Sequence, residues 1–124
     1  MSKELESAVK KMFRALDSGD AVAMKATMAI DAVGLDEVSR SWMVGKQLFD
    51  YVDELLSSVG SLKSELTNIN ARAWGDTGVV GCVLEQDLIM HGTKHHITAP
   101  TTVVLRKEGA EWKIVHFHSA PLPE

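Results

Sequence analysis

Glu85 and Asp87 stand two residues apart in GVVGCVLEQDLIM, residues 78–90, and on an extended chain they share a face with Gly81 and Val83. A carboxylate held in an apolar cavity keeps its proton to higher pH than one in water and can serve as a general acid or base. Glu85 is the candidate for that role; at a hydrated rim it would be an ordinary surface acid. The histidines form a second constellation. His91, His95 and His96 flank one turn, and pairing of the last two segments brings His118, and less closely His116, to the same end. Three imidazoles within reach could hold zinc or another divalent ion. Yet His95 and His96 must point to opposite faces, and no Cys or carboxylate spacing completes the set. We expect no metal there, but a solvated or interface cluster that weakens at acidic pH. Trp42 and Trp74 are candidate walls of a ligand pocket. Trp112, just after a turn, reads as a packing plug. No P-loop, dinucleotide glycine motif or Ser/His/Asp set is present, so no cofactor is expected.

Elements that could position these residues follow from periodicity. Leu5, Ala8, Val9, Met12, Phe13 and Leu16 recur at helical steps, which predicts a first helix from Ser2 to Asp17, stopped by Ser18-Gly19. Asp20 caps a short helix from Ala21 to about Thr27. An irregular connection or short strand, Met28 to Leu35, leads into the polar loop Asp36 to Arg40. Leu48, Val52, Leu55, Leu56 and Val59 mark a third helix, from about Val44 to Val59. From Ser61 the period changes to that of strands. Four long segments follow, near Leu62–Trp74, Val79–Met90, His95–Arg106 and Glu111–Ser119, separated by good turn compositions.

The last hairpin, Thr101 to Pro121, organises the rest. Strict alternation puts Trp112, Ile114, His116 and His118 on one face, with Val115, Phe117 and Ser119 opposite. Both faces carry large apolar groups, so both need covering. The chain's own helices cover one; a second copy covers the other most simply. A strand of about 12 residues spans roughly 40 Å, and a chain of this size is roughly 35 Å across. The strands must therefore bend, with bulges expected at Gly81 and Pro100. The fold class that results is α+β, a curved sheet wrapped as a half-open cone around three helices, with a hollow between.

A helix ending in LDSGD, Trp42 and Gly45 stepping into another helix, and the closing string WKIVHFHS together resemble the nuclear transport factor 2-like (cystatin-like) superfamily. Within it the SnoaL-like proteins and the association domain of calcium/calmodulin-dependent protein kinase II are the nearest likenesses. The resemblance covers the chain as a single domain, 1–124, and implies a homodimer formed through the convex sheet face. It also implies that an acid at Glu85 points into the cone. Residues Asp20 to Gly45 can be laid on the ketosteroid isomerases without a gap. Their general-base Asp then falls on Asp36, but their oxyanion Tyr falls on Met12 and their second donor near Thr102. Steroid isomerisation is not expected without those donors. Where the kinase domain places pocket arginines this chain has Thr102 and Ser119, and where it has a helical His this chain has Phe49. The pocket is expected to be more apolar, shaped by Trp42, Trp74, Phe49, Thr102, Phe117 and Ser119.

The function that these readings imply is binding of a small organic ligand. Any reaction would be cofactor-free acid–base chemistry of an isomerase, cyclase or dehydratase kind, led by Asp36 or Glu85. The alternative is an oligomerisation or accessory domain with a vestigial pocket. Composition narrows the partners: 124 residues, 45% hydrophobic and 24% charged, with a formal net charge of −4, argue against nucleic acid and against an anionic membrane surface. No run of apolar residues is long enough to span a bilayer. The single Cys82, flanked by apolar residues, forms no intrachain disulfide and points to a reducing, cytoplasmic setting.

Overall fold

In the computed structural model, which describes residues 2–36, 39 and 41–123, the chain runs α1 (Ser2–Asp17), α2 (Ala21–Ala26), β1 (Met28–Leu35), β2 (Met43–Val44) and α3 (Lys46–Ser58). It continues through β3 (Val59–Trp74), β4 (Thr77–Met90), β5 (Thr93–Glu108) and β6 (Glu111–Ser119). Three of the five residues of the expected polar loop Asp36 to Arg40 (37, 38 and 40) lie outside the described residues. One curved mixed sheet results, in the order β2-β1-β6-β5-β4-β3, with β1 parallel to β6 and the other pairs antiparallel. The segment Met28–Leu35, left open between connection and short strand by its composition, is a strand of eight residues, held against β6.

Local chemistry sets the ends of the elements. Gly19, at φ +71, closes α1. The amides of Gly19 and Asp20 turn back to the carbonyls of Leu16 and Ala15 at 3.1 and 2.9 Å, satisfying acceptors that the helix end would leave bare. Asp20 then starts α2, its side chain accepting from the Ala23 amide at 3.0 Å. A two-residue turn, His91-Gly92, joins β4 to β5 with both residues at positive φ, which suits the right-handed twist of the flanking strands.

Helices α1 and α3 bury their apolar stripes against one face of the sheet. Leu5, Val9, Leu48, Val52, Val80, Leu84, Val103, Leu105 and Ile114 are the largest fully buried side chains. Each such burial contributes about 1.5–3 kcal/mol, so this inner face carries most of the stability.

Bending occurs elsewhere than the sequence suggests. The β4–β5 register runs unbroken past Gly81 and Pro100. The irregularities fall between Met28 and Val33 in β1, between Val59 and Ser61 and between Thr67 and Asn70 in β3, and at Val115 in β6, where Val104 pairs with His116 but Leu105 with Ile114. One extra residue on one strand reverses which face the following side chains take. Trp112 and Ile114 therefore share the inner face with Phe117 and Ser119, while His116 and His118 turn outward. This corrects the strict alternation expected for the last strand.

Candidate functional site

The hollow between helices and sheet is walled by Met12, Phe13 and Leu16 of α1, Leu48, Val52 and Leu55 of α3, and Leu62, Leu84 and Leu88 of the sheet. Its walls stand close together. The space between them that a water-sized sphere can occupy is only about 60 Å³. Phe117 lines one side and brings its ring edge against Gly34, where an added Cβ would come within 2.3 Å of it. Glycine at 34 is what lets the ring sit there.

Four polar groups enter this apolar lining, namely Asp36, Tyr51, Gln86 and Ser119. The hydroxyl of Tyr51, on α3, lies 3.0 and 2.8 Å from the two carboxylate oxygens of Asp36 and donates to them. Asp36 also accepts from the Ser39 amide at 2.8 Å, and its own amide donates to the Ser39 hydroxyl at 3.2 Å. That reciprocal turn fixes the carboxylate at the end of β1. Gln86 is only 4% exposed. Its Nε2 donates to Ser64 Oγ at 3.1 Å, and Ser64 donates through its hydroxyl and amide to the Asp17 carboxylate at 2.7 and 2.8 Å. A carboxylate at the C-terminal end of a helix opposes the helix dipole; here its two hydrogen bonds tie α1 to β3. Thr101 Oγ1 donates to the Ala99 carbonyl at 3.0 Å and lies 2.9 Å from Ser119 Oγ.

Of the residues singled out from sequence, Asp36, Phe117 and Ser119 line the hollow. Glu85 does not. It lies on the outer face, where its carboxylate accepts from Thr98 at 2.7 Å and meets His96 Nε2 at 2.9 Å. Asp87 holds the other nitrogen of that imidazole at 2.7 Å. These carboxylates, Asp87 foremost, hold His96 above its ordinary pKa, against a smaller lowering by desolvation. Thr102 is also on the outer face, paired with His118 across β5 and β6. Trp42 packs at a tilt against His116 and His118 on the outside, at ring separations of 5.0 and 5.6 Å. Trp74 sits at the far end of β3 under the Arg72 guanidinium, 58% exposed. Phe49 packs against the core without reaching the hollow. Among the described residues no three His, Cys, Asp or Glu side chains are grouped to hold a metal. Burial raises the pKa of the Cys82 thiol, which leaves it a poor nucleophile.

Sequence reasoning missed Tyr51 and Gln86. Tyr51 follows Leu48 by three residues and precedes Leu55 by four, so the helical stripe includes it. Gln86 alternates with Leu84 and Leu88, the more apolar parity of β4, whereas Glu85 alternates with Val83 and Gly81.

A family model described as the SnoaL-like domain matches residues 5–123. The chain belongs to the SnoaL-like domain family. Its fold agrees with solved structures across nearly the whole chain. A Xanthomonas campestris protein assigned as a calcium/calmodulin-dependent protein kinase II association domain is 25% identical, with a TM-score of 0.85, covering 98% of this chain and 87% of its own. A Streptomyces avermitilis protein assigned as a dehydratase of the nuclear transport factor 2-like family reaches 0.91 at 15% identity, covering 99% and 96%. A nuclear transport factor 2-like superfamily protein from Salmonella enterica reaches 0.88 at 15% identity, covering 99% and 92%. No curated protein sequence matches this chain. Among the described residues no helix is long and apolar enough to cross a membrane.

Proposed function

We propose that this SnoaL-like chain is a single-domain homodimer whose inner hollow binds a small, mostly apolar organic molecule. The observation that carries this reading is a carboxylate, Asp36, fixed by Tyr51 and Ser39 at the edge of a mostly apolar hollow. A carboxylate held there can take a proton from a bound carbon or oxygen acid, so Asp36 is the base of any cofactor-free isomerase, cyclase or dehydratase step. Glu85, bound to Thr98 and His96 on the other face, is not part of it. The dimer joins the outer faces, where Val79, Val83 and Val104 lie half-buried beside the Trp42–His116 pair. A lone, buried Cys82 suits the reducing cytoplasm.

Saturation-transfer NMR with toluene tests the hollow. Saturable transfer is expected for the parent chain and for Asp36→Asn, which leaves the apolar walls intact. Absence of transfer from toluene, and from phenol as a polar probe of the same ring, up to their solubility limits would refute ligand binding. The narrowness of the hollow favours a second reading, an assembly domain with a vestigial pocket. That reading predicts self-association in sedimentation equilibrium together with no toluene binding.

A further inference from the structure

Hydrogen-bond direction inside the hollow restricts what can occupy it. The Asp17 carboxylate can only accept, so the Ser64 hydroxyl proton points at it, and Ser64 Oγ must accept from its other neighbour. The side of the Gln86 amide facing Ser64 is therefore its NH₂ group, and its Oε1 faces away. Gln86 lines the hollow and is nine-tenths buried, yet among the described residues Oε1 accepts no hydrogen bond and is not sealed from space. Among the described residues, Gln86 thus brings an acceptor without a partner to the lining of the hollow. The same logic applies at Ser119. Thr101 gives its hydroxyl proton to the Ala99 carbonyl, so Ser119 donates to Thr101 and has only lone pairs left to offer the hollow it lines. The Tyr51 proton is directed at Asp36, itself acceptor-only as a carboxylate.

Resting on the ligand-binding reading above, we infer that the occupant is a neutral, mostly apolar molecule that carries its own hydroxyl or N–H donor, with Gln86 as the residue that selects it. A carboxylate or phosphate would meet the acceptors Gln86 Oε1 and Ser119 Oγ and the negative charge of Asp36, with only the second Nε2–H of Gln86 to receive it, and no Lys, Arg or His is among the described residues lining the hollow. A pure hydrocarbon would leave Gln86 Oε1 desolvated and unpaired, which is a penalty rather than an indifference. The pattern thus discriminates in both directions.

Three probes of one ring size separate the alternatives, namely phenol, toluene and benzoate. Titration of the full chain followed by NMR is expected to show phenol tighter than toluene by roughly threefold to tenfold, with benzoate binding undetectable. Gln86→Leu is expected to bring phenol and toluene level while toluene affinity holds or rises. Ser119→Ala, which keeps the Gln86–Ser64–Asp17 chain intact, is expected to narrow the gap less. In the parent chain the Gln86 side-chain amide signals are expected to move with phenol and not with toluene, a readout that needs no variant. Toluene binding as well as phenol, or benzoate binding as well as either, would overturn the inference and leave ligand binding standing. Binding of none of the three would overturn both.

Discussion

The inner and outer faces of β4 and β5 are built from the same backbone, one residue out of step, and they do opposite things. Inward stand Val80, Leu84, Gln86 and Leu88 against Ala99, Thr101 and Val103; outward stand Val83, Glu85 and Asp87 against His96, Thr98 and Thr102. Every charge of this stretch is outside, and the inside keeps a single amide whose hydrogen bonds are directed by Ser64 and Asp17. Burying a charge without a partner costs several kcal/mol, whereas an amide with one bond made can wait for a second from a ligand. In the ligand-binding reading proposed above, the difference means that recognition rests on oriented neutral groups plus one carboxylate at the edge. The outer face keeps its polar groups for one another.

The sharpest way to break the comparison is to shave each face by the same kind of change. Leu84→Ala, on the inner face and 2% exposed, is expected to lower stability by about 2–5 kcal/mol. Val83→Ala, its neighbour on the outer face, should cost within about 1 kcal/mol in the isolated chain. Urea midpoints at low protein concentration check both. Equal losses would mean that the two faces are equally packed, and the asymmetry described here would be wrong.

A smaller effect sharpens the outer face alone. Asp87 and Glu85 raise the His96 pKa, with Lys63 and Glu65 facing them from β3 and Lys94 nearby on β5. Because the folded value lies above that of the unfolded chain, the stabilisation is complete below about pH 6.5 and is lost as pH rises through the folded value. Thermal unfolding from pH 5 to 9 is therefore expected to show a shallow fall that His96→Gln removes. An unchanged slope in that variant would mean that the bridge contributes nothing, which is the common fate of exposed pairs.

These two faces also show why part of the molecule was legible in the sequence. Helical stripes and long alternating segments gave the elements, because burial of a face imposes a period. The closing string gave the fold by resemblance. Parity was harder to read. In LEQDL the apolar flanks Leu84 and Leu88 belong with Gln86, but the acids drew attention to Glu85 because carboxylates carry chemistry. The bulge at Val115 had no composition signal, since neither Gly nor Pro marks it, so the facing of His116, Phe117, His118 and Ser119 could not be counted out from Trp112. Residue type alone makes Trp42 and Trp74 look like pocket walls. Their packing against His116 and under Arg72 depends on register that only the folded chain supplies.

The claim that one sheet divides its work between its faces can be tested on two adjacent residues. Methyl NMR would follow Leu84 and Val83 during addition of toluene and, separately, during dilution through self-association. The account predicts that toluene shifts Leu84 and leaves Val83 in place, while dilution shifts Val83 and leaves Leu84. Movement of Val83 with toluene, or of Leu84 with dilution, would contradict it.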